Sequence, residues 1–153
     1  MMEALIFVGV QGAGKSAFFR ERFFGTHVRI SLDMLGTRAR EQAMVAACLQ
    51  AGQSFVVDNT NPKASDRSRY IGPARERGLC VIAYIFDVEL RDAIRRNNQR
   101  PGKKKIPVAA VVGTFKRLEI PTVSEGFHRI FTVRVTKDNQ FVVTEAAPNA
   151  GSN

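Results

Sequence analysis

Four short apolar runs punctuate the first half of the chain: Ala4–Val8, Val28–Ile30, Phe55–Val57 and Leu79–Phe86. Each is bounded by polar or glycine-rich residues, the pattern of strands buried on both faces of a parallel sheet. Helical patterns lie between them. The first opens at Gly14-Lys15-Ser16 and carries Phe18, Phe19 and Phe23. The second covers Thr37–Gln50, with Ala39, Ala43, Ala46 and Ala47 on one side and Gly52 just past its end. The third spans Lys63–Arg77 and stops at Gly78, and Gly72-Pro73 is expected to kink or split it. A later stripe of Val108, Val111, Val112, Phe115 and Leu118 reads as a core-facing helix that starts after Pro107 and ends before Pro121.

Strands alternating with helices predict an α/β fold, a parallel sheet with helices on both faces. The C-terminal part reads differently. Ile130–Thr136 and Phe141–Thr144 flank a polar turn, which predicts a hairpin, and the last residues, 146–153, read as a disordered tail. With 153 residues there is room for one domain, here 1–145.

Charge and cysteine content narrow the setting. The formal net charge is +9, which suits a polyanionic partner such as nucleic acid; plain solubility explains it equally well. Cys48 and Cys80 have no metal-site spacing and read as small core residues, which points to an intracellular protein. No apolar run reaches the roughly 18 residues of a membrane span, and the N-terminus, lacking a basic region, reads as a strand.

The chemistry begins directly after the first strand. Residues 9–16, GVQGAGKS, fit G-x-x-x-x-G-K-[ST] between a predicted strand and a predicted helix, the context that gives this motif meaning. Backbone amides of Gly12, Ala13 and Gly14 would cradle the phosphates of ATP. The helix N-terminus adds partial positive charge. Lys15 would reach the β- and γ-phosphates, and Ser16 would ligate Mg²⁺. A P-loop does not say where the phosphoryl group goes.

Polar residues then recur at the carboxyl ends of the strands, where open α/β sheets bind ligands. Asp33 is a candidate general base for a hydroxyl acceptor, with a helix N-cap as the alternative. Asp87, before Val88-Glu89-Leu90, reads as an N-cap. Asp58 could hold Mg²⁺, position a substrate or cap a turn; a place in the acceptor site, paired with an acceptor-binding arginine, is the preferred reading. The stretch 95–105, RRNNQRPGKKK, carries Arg96 and Arg100 on one helix face, where they could close over the triphosphate.

Together these stretches resemble the polynucleotide 5′-kinases, most closely the kinase domain of polynucleotide kinase/phosphatase. The resemblance rests on GVQGAGKS, Asp33-Met34-Leu35-Gly36-Thr37, VVDNTNP with Arg67-Ser68-Arg69-Tyr70, Arg96-Asn97-Asn98-Gln99-Arg100, Ile106-Pro107, and Pro121-Thr122 with Glu125-Gly126-Phe127. It implies γ-phosphate transfer from ATP, with Mg²⁺, to the 5′-hydroxyl of DNA or RNA. Asp33 would be the base, Asp58 would support the acceptor site, and Arg96 and Arg100 would belong to a lid. Where viral members carry an acceptor-binding arginine, this chain has Gly36, which leaves that contact between Arg38 and Arg40. No phosphatase-type DxDx[TV] motif is present. A repair ligase or phosphatase would act downstream. Two other readings remain open: a P-loop kinase for a small hydroxyl such as a nucleoside, sugar or sugar nucleotide, and a non-catalytic ATP-dependent switch.

Overall fold

The six strands line up in the order β2-β3-β1-β4-β5-β6 in a computed structural model that describes residues 1–102 and 105–146. β1 (Glu3–Val8), β2 (Val28–Ile30), β3 (Phe55–Val57), β4 (Cys80–Phe86) and β5 (Arg129–Val135) run parallel, and β6 (Phe141–Glu145) closes the edge antiparallel. The predicted hairpin is therefore an extension of the main sheet. The disordered-tail reading covers 146–153: Ala146 donates its amide to the Ile130 carbonyl at 2.8 Å, and 147–153 lie outside the described residues.

Alternation along the strands divides the core. Ala4, Ile6 and Val8 pack on one face with Ile30, Phe55, Val57 and Tyr70. Helices α3 (Arg38–Ala51) and α4 (Ala64–Glu76) cover that face through Val45, Cys48, Tyr70, Ile71 and Ala74. Leu5, Phe7 and Val56 point the other way, toward Phe18 and Phe19 of α1 (Lys15–Arg22), Ala93 of α5 (Leu90–Asn98) and Val111 of α6 (Val108–Arg117). Phe141 of β6 meets Phe18 at 5.1 Å between ring centroids, so the edge hairpin braces α1.

Two helix expectations change, and a third helix gains its orientation. The alanine side of α3 faces solvent, and its buried residues are Glu41, Val45 and Cys48. Helix α4 runs unbroken through Pro73, because Arg69, Gly72 and Pro73 are exposed and the freed carbonyl can turn to water. In α6, Val111 and Thr114 are buried while Val108 and Phe115 are exposed, so only part of the predicted stripe reaches the core. Among the described residues, no helix is long and apolar enough to cross a membrane.

Candidate active site

The loop between β1 and α1 needs glycine twice. Gly12 sits at φ 81° and Gly14 at φ 96°, backbone that L side chains avoid. A Cβ on Gly12 would also stand 2.3 Å from the Ala93 carbonyl oxygen, so α5 rests on the loop at that residue. Gly14 is the N-cap of α1, which leaves the loop amides at a helix N-terminus.

Lys15 folds back into this loop. Its Nζ donates to the carbonyls of Gly9 (2.9 Å) and Val10 (2.7 Å). Burial pushes its pKa down to about 8; Asp58 opposes that shift, Arg100 adds to it and Asp33 opposes it. Three charged residues from three other segments thus lie within electrostatic reach of Lys15.

Ser16 and Asp58 meet directly. Ser16 Oγ donates to Asp58 Oδ2 at 2.9 Å, and the same carboxylate oxygen accepts from Arg29 Nε at 2.8 Å. Arg29 Nη2 reaches Ser16 Oγ at 3.1 Å. This differs from the expected pairing of Asp58 with Arg38 or Arg40. The register explains it. Arg29 stands opposite Val56, Val56 faces the α1 side, and Asp58 lies two residues further on the same face. Arg38 and Arg40 are on α3, across the sheet. Arg38 Nη1 instead donates to Glu41 Oε1 (2.8 Å) and the Tyr70 hydroxyl (3.1 Å), and Arg40 Nη1 to the Leu35 carbonyl (3.1 Å).

Asp33 lies in the first turn of the short helix α2 (Leu32–Leu35). Ser31 caps that helix, its Oγ accepting from the Met34 amide. The capping alternative for Asp33 is therefore taken by another residue, and its exposed side chain makes no hydrogen bond among the described residues. Asn59 holds α2 from below: its Oδ1 accepts from the Leu32 amide at 2.9 Å, and its Nδ2 donates to Glu41 Oε2 at 2.8 Å. Glu41 is buried and also accepts from the Tyr70 hydroxyl at 2.6 Å. Burial disfavours the Glu41 charge, but bonds from Tyr70, Asn59 and Arg38 outweigh it and hold the carboxyl below its usual range. Burial and the bond to Glu41 push Tyr70 up to about 12.

On the far side of the loop stands α5. Arg96 Nη1 is buried and has no partner among the described residues, an orphan donor on the helix that rests on the loop. Asn97 is fully buried and clamps the returning chain, exchanging hydrogen bonds with the backbone N–H and C=O of Ile106. Lys103 and Lys104 of the basic stretch lie outside the described residues. Asp87 does not cap α5: it accepts from Arg134 Nε at 3.1 Å, and the N-cap is Glu89.

Sequence reasoning missed Arg29, Glu41 and Asn97. Arg29 is the one charged residue inside an otherwise apolar three-residue strand, and Glu41 the one acid on the buried side of its helix. Both are signals of a polar group held for a purpose.

A model of the AAA domain matches residues 34–119, more than half of the chain. The chain belongs to the AAA-domain family. Asp33 lies just before the matched stretch, and the glycine-rich loop lies further upstream, before α1 and β2. Among curated relatives, a bifunctional polynucleotide phosphatase/kinase of Schizosaccharomyces pombe is 28% identical over 133 residues, 84% of this chain and 32% of the relative. A protein of Acanthamoeba polyphaga mimivirus, provisionally given the same name, is 30% identical over 138 residues, 86% of this chain and 33% of the relative. The chain thus spans about a third of the length of these relatives. A gluconokinase structure from Sinorhizobium meliloti superposes with a TM-score of 0.60 at 21% identity, covering 88% of this chain and 83% of that one. The fold is that of P-loop kinases.

Proposed function

We propose that residues 1–145 form an intracellular kinase domain that transfers the γ-phosphate of ATP to the 5′-hydroxyl of DNA or RNA. The observation that carries this is the place of Asp33 in the first turn of α2, where its charge bears on the P-loop lysine and its exposed carboxylate has no hydrogen-bond partner among the described residues. The polynucleotide acceptor is supported by the curated relatives and by the net charge of +9.

The residues fit both absent groups. The glycine cradle, buried Lys15 and the orphan Arg96 donor suit a triphosphate. The Ser16 hydroxyl and Asp58 carboxylate are adjacent hard oxygen donors, which suits Mg²⁺. When bound, Mg²⁺ neutralises charge on the β- and γ-phosphates. Amides of Gly12, Ala13 and Gly14 hold the phosphate oxygens, and Lys15 leaves the Gly9 and Val10 carbonyls for them. Asp33 takes the proton of the acceptor hydroxyl as its oxygen bonds to the γ-phosphorus; the bond to the bridging oxygen breaks and ADP leaves. Arg96 and Arg100 offset charge on the transferring group. Arg38 and Arg40 flank the acceptor. The 5′-phosphate formed is the substrate of a ligation reaction downstream.

The test is transfer from γ-labelled ATP with Mg²⁺ to oligonucleotides bearing 5′-hydroxyl or 5′-phosphate ends. Label on 5′-hydroxyl strands only, lost in Asp33→Ala, supports the reading. Label reaching only nucleosides or sugars replaces it with a small-molecule kinase. ATP turnover indifferent to Asp33→Ala replaces it with a nucleotide switch.

A further inference from the structure

The loop that leaves Asp58 does not end at the catalytic cluster. Thr60, Asn61 and Pro62 floor a cleft of about 320 Å³ walled by Arg38, Lys63, Asp66 and Arg117. Three cations from three elements face one acid. That acid is already engaged, since Asp66 Oδ2 accepts from the Lys63 amide at 3.0 Å as a helix cap. Glu119 caps the same helix end, its Oε1 accepting from the Ala64 amide, so this helix end is closed to outside anions. Among the described residues, neither Lys63 nor Arg117 has a carboxylate partner; Arg117 makes only a 3.5 Å bond to Thr114 Oγ1. All three cations are exposed.

The cleft is anchored to the catalytic loop at both ends. Gly9 of the P-loop donates its amide to the Thr60 carbonyl at 3.0 Å. Gln11 of the P-loop donates to Thr114 Oγ1, the atom that Arg117 also touches. On the other wall, Arg38 shares Glu41 with Asn59, and Asn59 holds the helix of Asp33.

We infer that this cleft binds phosphodiester groups of the acceptor strand, with Lys63 and Arg117 as its new contacts beside Arg38. The inference rests on the polynucleotide reading above. Unpaired cations over a polar floor match a repeating anion, and they offer nothing to a neutral sugar. Because these residues neutralise phosphates without touching the reacting atoms, they set affinity for long acceptors and leave chemistry on the shortest acceptor alone.

The experiment uses Lys63→Gln, Arg117→Gln and the double variant; both positions are exposed, and matched thermal melts verify folding. Binding of a 3′-fluorescein, 5′-hydroxyl oligonucleotide is followed by anisotropy at several salt concentrations without ATP. Phosphorylation of that strand and of a nucleoside 3′-monophosphate is measured in parallel. The double variant should bind the strand about tenfold more weakly and lose about one unit of salt slope per cation removed. Its KM for the strand should rise with kcat kept, and its KM values for ATP and the mononucleotide should stay unchanged. Equal strand affinity and salt slope in wild type and double variant overturn the inference, as does wild type that binds no strand. Strand binding that weakens in the variants while no strand is ever phosphorylated keeps the cleft and removes the kinase reading.

Discussion

Ser16 Oγ is held between Asp58 and Arg29, donating to the carboxylate at 2.9 Å and accepting from the guanidinium at 3.1 Å. One of the two lone pairs open to a magnesium ion is therefore occupied by a tethered cation. We read Asp58 as serving the metal side of the site, and its arginine partner comes from β2. Asp58→Asn should weaken Mg²⁺-dependent ATP binding about tenfold and barely change metal-free ATP binding, because an amide is a poorer ligand for a hard cation. Titration of a fluorescent ATP analogue with and without Mg²⁺ measures this. A raised KM for the acceptor with Mg²⁺–ATP affinity intact would return Asp58 to the acceptor site.

Arg29→Met should act in two opposite directions. Removing the guanidinium frees Ser16, so half-maximal nucleotide binding should need less Mg²⁺. It also strands the buried Asp58 carboxylate, which should cost the empty protein about 1–3 kcal/mol. Urea unfolding and metal titration read the two effects separately. A variant that loses stability and gains nothing in metal affinity would show that Arg29 is only a structural partner.

Lys15 gives a pH signature. Its pKa is pushed down to about 8 by burial, below its ordinary 10.5. The unfolded chain therefore binds more protons than the folded one between those values, so this residue costs stability below pH 8 and the cost fades as pH rises to 10.5. A triphosphate placed against Lys15 restores the charge. ATP binding at pH 8.5 should thus take up a proton, about three quarters of one from the lysine alone. Calorimetry in buffers of differing ionisation enthalpy measures it. Uptake should shrink toward pH 6.5, where the lysine is already charged; no uptake at pH 8.5 would mean that Lys15 is protonated throughout.

The split between Asp58 and Asn59 has a kinetic consequence. Adjacent residues at the end of β3 point to opposite faces, Asp58 to Ser16 and Asn59 to Glu41 and Leu32. Asn59→Ala should therefore leave ATP binding near wild type while lowering kcat about tenfold, because the helix carrying Asp33 loses its tie. Tyr70→Phe removes a donor to buried Glu41 and should cost about 1–3 kcal/mol of stability with a smaller effect on kcat. If Asn59→Ala instead shifts only the KM for ATP, α2 does not depend on this bond.

The same alternation marks where sequence reading stops. Four strands emerge within a residue or so from their apolar runs, because burial on both faces leaves continuous apolar stretches. The P-loop is legible because its glycines answer to backbone geometry alone. Side-chain pairing is not local. Whether Asp58 meets Arg29 or Arg38 depends on strand order and register, which no short window encodes. The buried face of α3 misleads for a related reason: alanines suit either side of a helix, while Glu41 goes inside because Tyr70, Asn59 and Arg38 arrive from elsewhere to satisfy it.

Arg67 offers the sharpest stability test. It is fully buried, donating Nε and Nη2 to the two Glu125 oxygens (2.8 and 3.1 Å) and Nη1 to the carbonyls of Asn61, Pro62 and Glu119. One fork thus joins α4, the loop after β3, the end of α6 and the turn at Glu125. Lysine cannot reproduce that planar array. Arg67→Lys should cost about 2–4 kcal/mol, and Arg67→Met about 3–5 kcal/mol because Glu125 is left with little compensation. Adding Glu125→Gln to Arg67→Met should recover part of that loss, since the unpaired charge goes with it. The loss should also reach the P-loop, because Thr60 in the same loop accepts from Gly9. Urea unfolding of the single and double variants decides the point. An Arg67→Lys protein within about 0.5 kcal/mol of wild type would show that the buried charge alone, without the fork, holds this junction.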